Sequence, residues 1–129
     1  MQRILIVDDS ATIRRMVRAS LAGLEGVTFS EASSGLEALE RLSFEPVSML
    51  VLDLNMPDLH GIEVLKFVRG HSQLRETPVL VLTTRGDDSS RAAAMEAGAS
   101  VYLTKPFSPQ VLASLAREFL AGEARPWQA

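Results

Sequence analysis

Two kinds of apolar segment alternate along this sequence, and that alternation constrains the fold more than any other feature. The first kind is short and continuous and lacks the polar–apolar alternation of a half-exposed strand, a pattern typical of strands buried on both faces. Three of these runs are strong and two are weaker: Ile4–Val7, Met49–Leu52 and Val79–Leu82, then Val27–Ala32 and Val101–Thr104. The sequence therefore predicts five buried strands.

The second kind of segment has helical spacing, with apolar residues three or four positions apart. Four stripes follow this spacing: Ile13, Met16, Val17, Leu21 and Leu24; Leu36, Leu39 and Leu42; Ile62, Leu65 and Val68; and Val111, Leu112, Leu115, Phe119 and Leu120. The alanine-rich stretch Ala92–Ala97 predicts one more helix, with Ser89 or Ser90 as its N-cap and Gly98 at its end.

The predicted order is strand then helix, repeated along the whole chain. Strands joined by helical crossovers form a parallel sheet with helices on both faces, so we predict an α/β fold with a five-stranded parallel sheet. A length of 129 residues suits one domain. We place this domain at residues 1–121, followed by a tail at 122–129 that includes Trp127.

Composition and charge exclude several classes of function. The net charge of −3 argues against nucleic acid as the main partner. Apolar runs of at most four residues are too short to span a membrane. Without cysteine, the chain has no disulfides and no thiolate metal site. Because the first strand begins almost at Met1, we expect no signal peptide and a location in the cytoplasm.

Polar side chains follow four of the predicted strands at the point where each strand ends. They are Asp8 and Asp9 after the first strand, Asp53 after the third, Thr83 and Thr84 at the end of the fourth, and Lys105 after the fifth. The carboxyl ends of parallel strands share one edge of the sheet, where functional crevices lie. Single carboxylates often end strands for structural reasons, but this combination at one edge indicates a functional site.

Three carboxylates in such a small space cannot all stay ionised without a counter-charge. Lys105 supplies one positive charge, and Mg²⁺, which prefers oxygen ligands and often bridges carboxylates to a phosphate, would supply more. Asp9 and Asp53, with a backbone carbonyl near Asn55, would suit this ion. Asp8 would act directly or through water. Such a site is suited to a phosphoryl group, with Asp53 as the attacking nucleophile.

Four motifs now give the sequence a family resemblance: IVDDS, LDLNMPDLHG, VLTTRG and AGASVYLTKPF. They resemble the receiver domain of two-component response regulators, and in particular the single-domain chemotaxis regulators of the CheY type. The resemblance covers residues 3–121. It implies the flavodoxin-like strand order 2-1-3-4-5, an order taken from the family and not worked out from the residues.

The resemblance also implies a role for each residue at the sheet edge. Asp53 would be the phosphoacceptor, and Mg²⁺ would be bound by Asp8, Asp9, Asp53 and the carbonyl of Asn55. Lys105 would contact the phosphoryl group, and a cis peptide would precede Pro106.

The same resemblance implies a conformational switch and a group of residues that adjust the rate of dephosphorylation. Thr83, thirty residues after Asp53, would move its hydroxyl to the new phosphate, and the ring of Tyr102 would turn inward. From the residues alone, Thr84 competes for the hydroxyl role, and the family usually has a smaller residue there. Asn55, Thr84 and Arg85 would tune dephosphorylation.

The partners implied by the resemblance are a histidine kinase as phosphodonor and a downstream protein. That protein would bind a face made by the fourth helix, the fifth strand and the fifth helix. We expect a monomer that assists its own phosphotransfer and autodephosphorylation and is not a conventional enzyme. Because the chain ends just after the last predicted helix, we expect its output to go through protein binding.

Two alternatives stay open at this point. One is a receiver excised from a larger hybrid kinase or regulator, which would have the same site chemistry. The other is a phosphohydrolase, because Asp53-Leu54-Asn55 resembles the nucleophile motif of haloacid-dehalogenase-like phosphatases. Asn55 replaces the aspartate that serves those enzymes as general acid, and no cap domain is evident.

Overall fold

A computed structural model of the protein describes residues 1–122. The strands are β1 Gln2–Val7, β2 Val27–Ala32, β3 Met49–Leu52, β4 Val79–Thr83 and β5 Val101–Thr104. The helices are α1 Ala11–Leu21, α2 Gly35–Phe44, α3 Gly61–Gly70, α4 Asp88–Ala97 and α5 Pro109–Leu120. Of the predicted tail, residues 123–129 with Trp127 lie outside the described residues.

The five strands form one parallel sheet in the order β2-β1-β3-β4-β5. The predicted fold class and strand order are therefore confirmed. The register aligns Val7 with Leu52 and Thr83 with Thr104, so the carboxyl ends of neighbouring strands are level. This register brings the residues that follow the strands to a common edge.

The core consists of two apolar layers, one on each face of the sheet. Alternate strand residues such as Leu5, Leu50 and Val81 pack towards α2, α3 and α4. Their neighbours, such as Ile4 and Leu80, pack towards α1 and α5. Burial on both faces explains why Ile4–Val7 of β1, Met49–Leu52 of β3 and Val79–Leu82 of β4 are continuously apolar. Within residues 1–122, no helix has the length and apolar character that a membrane span requires.

Two local predictions about helices were wrong. The N-cap of α4 is Asp87, not Ser89 or Ser90, because the Asp87 carboxylate accepts the N–H of Ser90 at 2.9 Å, and negative charge is favourable at a helix N-terminus. Leu36, assigned to a buried stripe, is 61% exposed. The buried face of α2 is instead formed by Gly35, Ala38 and Leu42.

Candidate functional site

Three carboxylates converge at the carboxyl edge of the sheet, as the sequence predicted. Asp8, Asp9 and Asp53 each place an oxygen within 4.8 Å of the other two. Asp8 and Asp53 are buried, with 2% and 4% of their surfaces exposed, whereas Asp9 is exposed. The cluster therefore has a buried floor and one carboxylate open to solvent.

Backbone hydrogen bonds of the sheet hold these residues in place. The N–H of Asp8 donates to the carbonyl of Ala32 at 3.1 Å, and the N–H of Asp53 donates to the carbonyl of Val7 at 2.9 Å. Both bonds continue the strand ladders one residue past β1 and β3. The positions of the two buried carboxylates are thus set by the rigid sheet and not by loops alone.

Gly61 lets α3 begin directly against the backbone of the site. A Cβ atom at this position would lie 2.5 Å from the carbonyl oxygen of Asp53 and 2.7 Å from the Cα of Leu54. Real Cβ atoms do not come so close to other heavy atoms, so only glycine permits this close entry. The Gly61 N–H also donates to the Leu54 carbonyl at 3.0 Å.

Lys105 is paired more closely with Asp8 than with the phosphoacceptor candidate. Its Nζ lies 2.7 Å from Oδ2 of Asp8 and 3.8 Å from Oδ2 of Asp53. The N–H of Lys105 donates to the Thr83 carbonyl at 2.8 Å, and the Lys105–Pro106 peptide bond is cis. The lysine therefore neutralises part of the charge of both buried carboxylates.

Both side-chain oxygens of Asp8 already have hydrogen-bond donors. Oδ1 accepts the backbone N–H of Ser10 at 2.9 Å, and Oδ2 accepts the Lys105 ammonium. Asp8 is consequently fixed in orientation, while Asp9 is exposed to solvent.

Burial raises the pKa of the Asp53 carboxyl above its usual range, and the charge of Asp8 raises it further. Three groups act in the opposite direction: the Lys105 ammonium, the Asn55 N–H and the Thr83 hydroxyl. The Asn55 N–H lies 3.3 Å from Oδ1 of Asp53. The carboxylate is therefore partly compensated, and a further positive charge would stabilise its ionised form.

The two threonines at the end of β4 face different environments. Thr83 is fully buried, and its Oγ1 accepts the N–H of Arg85 at 3.4 Å. Thr84 is exposed and lines the cavity above the acidic cluster. Thr83 is thus the threonine whose hydroxyl lies beside Asp53.

Tyr102 is buried, and its hydroxyl donates to the carbonyl of Arg85. Burial raises the pKa of this phenol, and the charge of Asp87 adds to the effect. The Arg91 guanidinium lies over the ring, 4.9 Å from its centroid. Tyr102, on β5, therefore contacts the loop that directly follows Thr83 of β4.

A cavity of about 540 Å³ opens above the acidic cluster. Its polar wall includes Asp9, Asn55 and Thr84, and its apolar wall includes Met16 and Phe107. The space is adequate for a small anionic group with a bound ion. Three clustered carboxylate oxygens form the ligand set that a hard divalent cation prefers, so the residues fit such an ion.

Several supporting residues were not found from the sequence. Asp58, in the loop after β3, accepts the N–H groups of Gly35 and Leu36 at 3.1 and 3.0 Å and so ties that loop to the start of α2. Arg14 and Arg18 of α1 both pair with Glu31 of β2. No local sequence pattern predicts these contacts, because the two partners of each contact lie far apart in the sequence.

Comparison with known proteins agrees with the geometry. The family model described as response regulator receiver domain matches residues 4–117. Chemotaxis protein CheY1 of Helicobacter pylori is 39% identical over 111 residues, which cover 85% of this chain and 90% of that protein.

Two solved structures extend the comparison to the fold. Chemotaxis response regulator CheY4 of Vibrio cholerae superposes with a TM-score of 0.83 at 35% identity, covering 92% of this chain and 98% of that one. The Mn²⁺-bound form of response regulator Rcp1 gives a TM-score of 0.84 at 27% identity, covering 100% of both chains. From the matched span, the identity and the shared fold, we conclude that the chain belongs to the response regulator receiver domain family and is CheY-like.

Proposed function

We propose that the protein is a phosphorylation-switched signalling module that accepts a phosphoryl group on Asp53 from the phosphohistidine of a histidine kinase. One observation carries this proposal. Asp53 is a buried carboxylate with a raised pKa, and it lies beside an ammonium and two further carboxylates under an open cavity. This arrangement leaves an anion poised for attack and positive charge close to where phosphoryl oxygens would lie.

The transfer exchanges a bond of the donor for a bond to this chain. An oxygen of Asp53 would form the new O–P bond while the N–P bond of the phosphohistidine breaks, and the imidazole would leave with the bonding electrons. Lys105 is 3.8 Å from Oδ2 of Asp53 and would contact an oxygen of the incoming phosphoryl group. Thr83 would donate its hydroxyl to another.

Mg²⁺ is the proposed cofactor, with Asp9, Asp53 and the Asn55 carbonyl as its protein ligands. When bound, this ion would neutralise the oxygens of the transferred group. Asp8 has a donor on each oxygen, which favours contact through water over direct ligation.

The proposed switch connects the phosphorylated site to a binding face. Thr83 and Tyr102 are linked through the loop at Arg85, whose N–H and carbonyl each bond one of them. Movement of the Thr83 hydroxyl towards a phosphate would alter this loop and with it the face formed by α4, β5 and α5. Met95 and Val111 are 42% and 48% exposed on these helices, which suits a downstream protein partner.

Three residues near the mouth of the site are proposed to set the lifetime of the phosphorylated state. Asn55 and Thr84 line the cavity, where water would approach the acyl phosphate. Arg85 is exposed and lies 3.7 Å from Asp87 through its Nε. A location in the cytoplasm and a monomeric state are part of the same proposal.

Incubation of the purified protein with acetyl phosphate and Mg²⁺, followed by mass spectrometry, tests the assignment. We expect one phosphate on the wild type and none on Asp53→Asn. Asp58→Asn, in the same loop, is the matched control and should keep the label. If the label survives Asp53→Asn unchanged, the phosphoacceptor is another residue. Sustained turnover of a phosphomonoester would favour the hydrolase alternative.

A further inference from the structure

The guanidinium of Arg14 joins β2 to the loop that carries the two adjacent aspartates. Its Nη1 donates to the backbone carbonyl of Asp8 at 2.5 Å, and its Nε donates to Oε1 of Glu31 at 2.8 Å. The side chain is only 15% exposed. Two hydrogen bonds and a largely buried side chain indicate a fixed position for this arginine.

Glu31 holds Arg14 from the neighbouring strand. It lies one residue before the end of β2, where the register pairs it with Ile6 of β1. Its second oxygen accepts from Arg18 at 3.1 Å. Burial raises the pKa of Glu31, but the hydrogen bonds and charges of the two arginines outweigh it and hold the pKa below its ordinary value. The carboxylate is therefore charged at neutral pH.

The bond to the Asp8 carbonyl fixes the peptide that connects the two aspartates. A peptide unit is planar, so a fixed carbonyl oxygen also fixes the N–H and Cα of the next residue. Asp8 has two other anchors on its side chain, from Ser10 and Lys105. The peptide between Asp8 and Asp9 therefore sets the direction in which the backbone of the exposed Asp9 runs.

We propose that Arg14, oriented by Glu31, is a positioning residue that holds the Asp8–Asp9 peptide and thereby sets the affinity of the acidic cluster for a divalent cation. This inference rests on the metal site in the proposed function. Supporting groups behind metal ligands commonly change metal affinity by about 10- to 100-fold when removed. Arg14 would act in this way through the backbone and not through a ligand side chain.

Arg18 provides the matched control. It pairs with the other carboxylate oxygen of Glu31, carries the same charge and lies one helical turn further along α1, but it is 51% exposed. Loss of either arginine removes one positive charge from the neighbourhood of the acidic cluster. Charge alone therefore predicts tighter cation binding in both variants, whereas positioning predicts weaker binding in the Arg14 variant.

Isothermal titration of Mg²⁺ into the full-length chain measures this difference. We expect Arg14→Met to weaken Mg²⁺ binding by about tenfold and Arg18→Met to stay within about twofold. Arg14→Lys should recover part of the loss, because one donor can still reach the carbonyl. Glu31→Gln, which keeps the size of the side chain, should weaken binding less than Arg14→Met. Urea unfolding in EDTA confirms that each variant is folded during the titration.

Phosphorylation by acetyl phosphate adds a readout that a general structural defect would not produce. For Arg14→Met, the Mg²⁺ concentration at half-maximal labelling should rise about tenfold, while the labelling rate at saturating Mg²⁺ stays near that of the wild type. Mg²⁺ binding to Arg14→Met that is as tight as to Arg18→Met overturns the inference. If the wild type binds Mg²⁺ but is never labelled on Asp53, the proposed function fails and the positioning role can still be judged from the titration.

Discussion

Replacement of Asp53 by asparagine is expected to make the metal-free protein more stable at neutral pH. Most substitutions of a buried residue destabilise a fold, so the direction of this effect is a sharp test of the electrostatics at the sheet edge. Asparagine keeps the shape of the side chain and an oxygen that can accept the Asn55 N–H. It removes only the buried negative charge.

The magnitude follows from the charges around Asp53. At an effective dielectric constant of about 20, Lys105 at 3.8 Å attracts Asp53 by about 4 kcal/mol, and Asp8 within 4.8 Å repels it by about 3.5 kcal/mol. These two contributions nearly cancel. Asp9 is exposed, so its repulsion at a similar distance is screened to about 1 kcal/mol. Desolvation of the buried carboxylate adds to this cost, and we expect a gain of about 1–2 kcal/mol for Asp53→Asn.

Urea denaturation at pH 7 in EDTA measures the gain as a rise in the free energy of unfolding. Asp88→Asn, at an exposed position in the first turn of α4, removes a carboxylate away from the cluster and should not raise it. Addition of Mg²⁺ should stabilise the wild type and have a smaller effect on Asp53→Asn, because a ligand that binds only the folded state adds to its stability. An unchanged or lower unfolding free energy for Asp53→Asn in EDTA would refute the reasoning.

The raised pKa of Asp53 also makes the free energy of unfolding depend on pH. Because the pKa of Asp53 is raised in the folded state, the folded protein keeps this proton at a pH where the unfolded chain has lost it. The contribution of Asp53 to the unfolding free energy of the wild type therefore falls as pH rises from about 4, the ordinary aspartate value, through the raised pKa. The Asp53→Asn variant lacks this pH-dependent contribution to the unfolding free energy. The stability difference between the two proteins should disappear below about pH 4.

Three further substitutions test other parts of the structure. Gly61→Ala would place a methyl group 2.5 Å from the carbonyl oxygen of Asp53, and we expect it to lower the unfolding free energy by about 1–3 kcal/mol. Gly70→Ala, with open space around it, should be neutral or stabilising in the same urea assay. Arg69→Met removes donors to three backbone carbonyls and should cost about 3 kcal/mol, whereas the exposed Arg75→Met should change stability by less than about 0.5 kcal/mol. Arg85→Ala should speed the loss of phosphate from the labelled protein, because the guanidinium would no longer stabilise the acyl phosphate or hinder water; an unchanged decay rate would contradict this role.

The strands were predictable because one physical condition governs all their residues. A strand covered by helices on both faces needs apolar side chains at consecutive positions, and Ile4–Val7 of β1, Met49–Leu52 of β3 and Val79–Leu82 of β4 meet this condition. Helix faces were less predictable, since they depend on how each helix is rotated. Gly35 packs against Leu59, where a Cβ would lie 2.6 Å from the Leu59 Cβ, and this contact turns Leu36 towards solvent.

The convergence of the site was also predictable, because the direction of a parallel sheet decides where its carboxyl ends meet. The pairing of charged side chains within the site was not predictable. Lys105 lies closer to Asp8 than to Asp53 by about 1 Å, a preference that depends on side-chain geometry. Arg14 and Arg15 are adjacent and chemically identical, yet only Arg14 points to Glu31, a residue seventeen positions away. Sequence spacing contains no signal for a contact of this kind.

The two adjacent carboxylates after β1 are compatible because they lie in different environments. The chain places Asp8 in the buried floor of the site, where a backbone N–H and the Lys105 ammonium each bond one of its oxygens. It places Asp9 at the surface, where water screens its charge. Asp8 thus holds Lys105 within reach of Asp53, and Asp9 stays open to the cavity. Asp8 therefore fixes the lysine, and Asp9 leaves a carboxylate exposed at the cavity, as the proposed metal site requires.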